Sequence, residues 1–250
     1  MNFKALRVAP PPAKVAWVKG IKGFTLAEVL ITLGIIGVVA ALTMPALINK
    51  YQKKVLEVKL KKAYSVINNI HNKLHLEYDS VYNTFVTDNP TIELRQEHFN
   101  KFYQELQAPE MCGSLKNIES NKCFDTTDGS LRSIYKTLNN QSTLNTTNML
   151  QENAIIDRDG TIYFVGNVVV SQWNNSYTVD INGKKGPNRA GYDVFIFFFD
   201  KNSDKLTPYK NLSFCDKTSP NVHNGFGCTY YAVNDICPWD EHKRYWECIP

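Results

Sequence analysis

Polar and apolar positions divide this chain into stretches of very different character. From Val29 to Ile48 twenty residues run without a charge, VLITLGIIGVVAALTMPALI. At about 1.5 Å per residue, such a helix crosses a bilayer core of roughly 30 Å. It is too long for an ordinary secretory apolar region of about 7–15 residues. Gly34, Gly37, Ala40 and Ala41 place small residues along it, which favours close helix–helix packing. Pro45 removes one intrahelical hydrogen bond and should loosen or kink the helix there.

Residues 49–79 continue as an amphipathic helix. Leu56, Leu60, Ala63, Ile67, Ile70, Leu74 and Tyr78 alternate spacings of four and three, which makes one apolar stripe. Lys50, Lys53, Lys54, Lys59, Lys61 and Lys62 crowd the start of this segment, opposed only by Glu57. A solvated face is the simplest reading of these lysines; contact with lipid phosphate or DNA is the other.

Asp88-Asn89-Pro90-Thr91 then stops and restarts the chain. Asn89 as N-cap and Pro90 at the first helical position predict a short helix to about Leu106, with Ile92, Phe99, Phe102, Tyr103 and Leu106 inward. Residues 137–148 read as a polar surface loop. Beyond residue 150 the pattern changes to strands. Ala154–Asp157 and Thr161–Val165 flank Arg158-Asp159-Gly160 as a hairpin. Val168–Trp173, Tyr177–Ile181 and Tyr192–Asp200 follow, rich in Val, Ile, Phe and Tyr. The expected class is α+β: a long N-terminal helix packed on an antiparallel sheet.

Charge adds a compartment to this picture. The net charge is +4, but residues 1–23 hold five cations (Lys4, Arg7, Lys14, Lys19, Lys22) and no acid. Without them 23 Lys+Arg face 24 Asp+Glu, a net −1, which argues against nucleic-acid binding driven by bulk charge. Cations flank the apolar run almost evenly, so the positive-inside count leaves its orientation open. The six cysteines, all after residue 111, belong on an oxidising side and place the N-terminus in the cytoplasm. Six cysteines allow 15 pairings, among which sequence alone does not choose. Pairing neighbours is simplest: Cys112–Cys123, Cys215–Cys228 and Cys237–Cys248. Tyr230, Tyr231, Trp239, Tyr245 and Trp246 cluster among the last of them, either packing around the bridges or forming a partner surface.

Lys22-Gly23-Phe24-Thr25-Leu26-Ala27-Glu28, followed at once by the apolar run, closely resembles the processing and methylation motif of type IV pilins, type II secretion pseudopilins and competence pilins. The resemblance covers about residues 22–50. It implies a type IV pilin-like fold and cleavage by a prepilin peptidase between Gly23 and Phe24, with methylation of the new Phe24 amine. Glu28 matches the family's glutamate at the fifth mature position, an assembly residue, and Pro45 matches its helix-loosening proline. The 23-residue leader is longer than the shortest in the family. The implied organisation is a basic leader (1–23), a transmembrane helix (24–48), the amphipathic second half of the same helix (49–79) and a disulfide-bearing head (80–250).

The resemblance implies a structural subunit in the bacterial inner membrane, single-pass with a cytoplasmic N-terminus and the head outside, later part of a pilus or pseudopilus. Its partners would be the peptidase, other pilin or pseudopilin subunits in a helical polymer, the inner-membrane assembly platform and the lipid bilayer. The alternative is an adhesin or DNA-uptake minor pilin acting as a binding module through its lysines or aromatics. A third class is a single-span receptor or enzyme that keeps its N-terminus.

Candidate chemistry elsewhere is sparse. His71 and His75 lie four apart, but the stretch is HNKLH and lacks the glutamate of a zinc-protease helix. No glycine-rich phosphate loop, nucleophile elbow or CxxC pair is present, and the chain reads as a non-enzyme. Between two expected strands, Asp180-Ile181-Asn182-Gly183-Lys184-Lys185-Gly186-Pro187-Asn188, with Asp193, concentrates oxygen ligands and turn residues. Asp180, Asn182, Asn188 and Asp193 could offer side chains to calcium, and some pseudopilins bind calcium in a C-terminal loop. The spacing is not that of an EF-hand and two lysines sit inside the loop, so a structural turn is the favoured reading and no cofactor is required.

Overall fold

The computed structural model describes residues 23–86, 90–114, 123–124, 134–145, 153–165 and 176–250. The chain forms two compact units that meet in sequence between Leu47 and Ile48. Helix α1 spans Leu26–Tyr78, and Pro45 lies inside it without ending it. Within the first unit no described residue is buried, and Leu30, Ile35, Ile36 and Leu42 are all exposed by more than half. A continuous apolar surface of this length needs lipid or partner helices around it.

The second unit is an antiparallel sheet against the remainder of α1. A single π-helical turn, Tyr82–Val86, leads towards α2 (Ile92–Glu105). Six strands follow among the described residues: β1 (Glu110–Ser114), β2 (Asn153–Ile156), β3 (Ile162–Phe164), β4 (Ser176–Asp180), β5 (Val194–Phe199) and β6 (Leu206–Pro208). They pair in sequence order, each antiparallel to the next. Two short helices close the chain, α3 (Thr229–Asn234) and α4 (Tyr245–Cys248).

The sheet is covered on both faces, which is why β5 reads VFIFFF rather than alternating with polar residues. One face presents Tyr163, Tyr177, Val179, Phe195, Phe197 and Phe199 to a core shared with Leu56, Leu60, Ala63, Ile67, Ile70 and Leu74 of α1. Tyr64 stacks on Phe197 with centroids 5.1 Å apart. The other face buries Ile162, Phe164, Val194 and Ile196 with Phe124, Tyr135, Phe226 and the Cys112–Cys123 bridge.

Several expectations are corrected. The N-cap of α2 is Thr91, whose Oγ1 accepts from the Leu94 amide at 3.3 Å; Pro90 precedes the cap, and Asn89 lies outside the described residues. Ile92 is 71% exposed, because the buried apolar side of α2 begins about two turns later and is carried by Phe99, Phe102 and the C-cap Leu106. The stretch expected as a surface loop at 137–148 buries Thr137, Leu138 and Leu144 in its described part, since Leu138 joins the core shared with α1 and Leu144 the core on the other face of the sheet. The strand expected at Val168–Trp173 lies outside the described residues.

Candidate functional site

The start of α1 is capped by its own motif. Thr25 is the residue before the helix, and its carbonyl accepts the first helical bond, from Val29 N at 3.2 Å. Glu28 Oε2 accepts from Thr25 N at 2.8 Å and from Thr25 Oγ1 at 2.9 Å, while Thr25 Oγ1 accepts from Glu28 N at 3.2 Å. This reciprocal capping box satisfies amides that a helix start otherwise leaves unpaired. Both bonds to the carboxylate fall on Oε2, so Oε1 carries none among the described residues. Gly23 and Phe24 precede the cap, fully open to an approaching molecule, Phe24 being 87% exposed.

Further along α1 half of the lysine cluster reaches residues of the head. Lys53 Nζ donates to Ile249 O at 3.0 Å and Lys59 Nζ to Ile181 O at 3.1 Å. Lys54 and Lys61 pair with Glu57, and Lys62 pairs with Asp159. Lys53, Lys59 and Lys62 therefore hold parts of the chain beyond α1, while Lys54 and Lys61 are engaged by Glu57 within the helix. Glu57 is only 3% exposed and accepts from Arg244 Nη2 as well, at 3.0 Å. Burial alone would raise its carboxyl, but the hydrogen bonds from Lys61 and Lys54 and the charges of Lys61 and Arg244 hold it down at about 2.

His71 and His75 both turn to one residue, Asp204. His71 Nε2 donates to the Asp204 carbonyl at 2.6 Å, and His75 Nδ1 to its carboxylate at 2.8 Å. The same carboxylate accepts from Val81 N and Tyr82 N, so it caps the turn after α1. These histidines serve that corner of the fold. Beside it His98 is buried, stacked on Phe85 and joined to the Tyr177 hydroxyl at 2.6 Å. Burial, helped by the nearby His71, depresses its pKa to about 3.

The loop from Asp180 to Asp193 gathers contacts from the rest of the head. Asp180 Oδ1 accepts from Asn182 N and Gly183 N, and its Oδ2 from the Tyr135 hydroxyl. Asp193 accepts from Asn188 N and Arg189 N. Gly183 has φ +56°, and a Cβ there would lie 2.3 Å from the Gly160 carbonyl oxygen, so only glycine fits this contact with the β2–β3 turn. Lys59 reaches the loop from α1, Arg189 bonds the Leu138 carbonyl, and the Tyr245 hydroxyl bonds the Gly191 carbonyl. Burial raises both carboxyls; Asp193 is pushed up to about 6, and Asp180 is raised further by Asp193 beside it.

The C-terminal segment is fixed by two bridges, Cys215–Cys228 and Cys237–Cys248, with Cys112–Cys123 on the far face of the sheet. Tyr231, Tyr245 and Trp246 are buried around them. Trp239 Nε1 donates to the Cys215 carbonyl, and Lys217 lies 4.5 Å above its ring. Lys210 sits 4.4 Å above Tyr230. Most of the aromatic cluster is thus internal packing. Glu57, Arg244 and Asp204 were not singled out as functional positions by sequence reasoning. A lone acid facing six lysines was the one signal available for the first.

The model of the prokaryotic N-terminal methylation motif matches residues 18–44. That motif is the signature of type IV pilins and pseudopilins, and here it stands at the start of a long apolar N-terminal helix that leads into an α+β head. The motif implies processing by a prepilin peptidase and assembly with other pilin subunits. No curated protein and no solved structure matches this chain significantly.

Proposed function

We propose that this protein is a structural subunit of a type IV pilus or type II secretion pseudopilus. It is held in the bacterial inner membrane with its N-terminus in the cytoplasm and its head outside. Cleavage between Gly23 and Phe24 and methylation of the Phe24 amine prepare it for polymerisation through α1. The observation carrying this reading is the junction of the methylation motif with a helix whose apolar surface is exposed throughout the first unit.

Glu28 is the assembly residue in this reading. Cleavage creates a cationic amine at Phe24 in an apolar setting. A neighbour displaced by about one helical turn, roughly 5.4 Å, brings its amine level with Glu28. Pairing the charges offsets desolvation that each would otherwise suffer alone. The capping box supports this by fixing the carboxylate through Oε2 while Oε1 stays available. Lys53, Lys59 and Lys62 are engaged by the head and Lys54 and Lys61 by Glu57, which weighs against DNA binding through that face. Glu28→Ala is expected to insert and be processed but to yield few or no sheared fibres, whereas Gly23→Leu leaves unprocessed precursor in the membrane. Normal fibre yield from processed Glu28→Ala protein would remove the pairing role.

A further inference from the structure

We propose that the 180–193 loop is braced by the Asn182 side-chain amide and by main-chain N–H groups where its oxygen-rich sequence would call for a cation, so that the head keeps its fold without calcium. Calcium takes about six to eight oxygens, turned inward on one point. Here the candidate oxygens already face donors. Asp180 Oδ1 holds two main-chain amides, at 3.2 and 2.8 Å, and its Oδ2 holds the Tyr135 hydroxyl at 3.1 Å. Asp193 holds the amides of Asn188 and Arg189 at 2.7 and 2.5 Å.

Asn182 has the opposite polarity to a ligand. Its Nδ2 donates to the carbonyls of Lys185 and Gly186, at 3.1 and 2.8 Å, so an NH2 group points at the oxygens that a cation would collect. Among the buried side-chain oxygens of the loop, the Oδ1 atoms of Asn182 and Asn188 are the two left without a partner, where a calcium shell takes about six to eight oxygens. Among the described residues no three His, Cys, Asp or Glu side chains group to hold a metal. The chain supplies its own cations to these two carboxyls: Lys59 acts on Asp180, and Arg189 acts on Asp193. The residues present therefore do not fit calcium, and position 182 is the one that decides it.

Thermal unfolding of the detergent-solubilised full chain, followed by tryptophan fluorescence in EGTA and in excess calcium, tests this. The wild-type Tm should agree between the two solutions to within about 1 °C. Asn182→Asp replaces the donor by a carboxylate oxygen; its Tm should fall by about 5 °C or more in EGTA and recover when calcium is added. Asn182→Ala removes the donor without adding charge and should lower Tm equally in both solutions, and it carries the test if Asn182→Asp does not fold. A wild-type Tm raised by about 5 °C or more by calcium would overturn the proposal. So would an Asn182→Asp protein, or an Asn182→Ala protein, as stable in EGTA as the wild type.

Discussion

Arg244 donates from Nη2 to Glu57 Oε2 at 3.0 Å and so ties the last helix of the chain to its first across 187 positions. Lys53 strengthens the same seam by holding the Ile249 carbonyl. The carboxylate is buried while its three cationic partners are about half exposed, so solvent screens part of each pair. Glu57→Gln should cost roughly 1–2 kcal/mol at neutral pH after that screening. Urea unfolding of the variant beside the wild type measures it. The folded carboxyl titrates near 2 against an ordinary 4.5. This contribution is therefore complete above about pH 4.5 and disappears as pH falls through about 2.

His98 sets a second, earlier acid limb. Its folded pKa of about 3 lies below the ordinary 6.5, so between those values the unfolded chain binds the extra proton. Stability must then fall as pH drops below about 6.5, by roughly 2 kcal/mol at pH 5. His98→Phe keeps the ring against Phe85 but leaves the Tyr177 hydroxyl unpaired, at a cost of about 1–3 kcal/mol at pH 7. The variant should lose less stability than the wild type on going from pH 7 to pH 5. Denaturant melts at the two pH values provide the comparison, and an unchanged acid slope would mean that another group carries it.

Reduction should loosen the C-terminal segment before the sheet. Residues 209–250 contain only helices of three to six residues, too short to hold themselves. Cys215–Cys228 and Cys237–Cys248 close loops of 13 and 11 residues, each worth about 3 kcal/mol in the chain-entropy model. Limited proteolysis with mapping of the cut sites should show early cleavage beyond residue 215 only with reductant. Equal cleavage in both conditions would place the stability of this segment in its packing, around Tyr245 and Trp246.

Much of this architecture was legible because it is local. The stripe from Leu56 to Leu74 needs only a helical period, and the turn at Asp157–Gly160 announces itself by its residues. Two strands escaped. β1 is EMCGS, with a glycine and no alternation, and β6 is LTP, ending on a proline. Both are edge strands whose pairing, not their propensity, makes them strands. The partners of three lysines are hidden from the sequence for a related reason. Composition gives a charged face, but only the fold brings Ile249, Ile181 and Asp159 to the amines of Lys53, Lys59 and Lys62. The Glu57–Arg244 pair has no local signature at all.

Processing at the motif is the centre of the account, and the mass of the mature N-terminus tests it most directly. The assembled or surface-exposed form, isolated from cells and digested, should yield an N-terminal peptide beginning at Phe24 and carrying one methyl group on its amine. A peptide beginning at Met1 or Asn2 on that same form would contradict the account, because a subunit that keeps its leader has no Phe24 amine to offer its neighbour's Glu28.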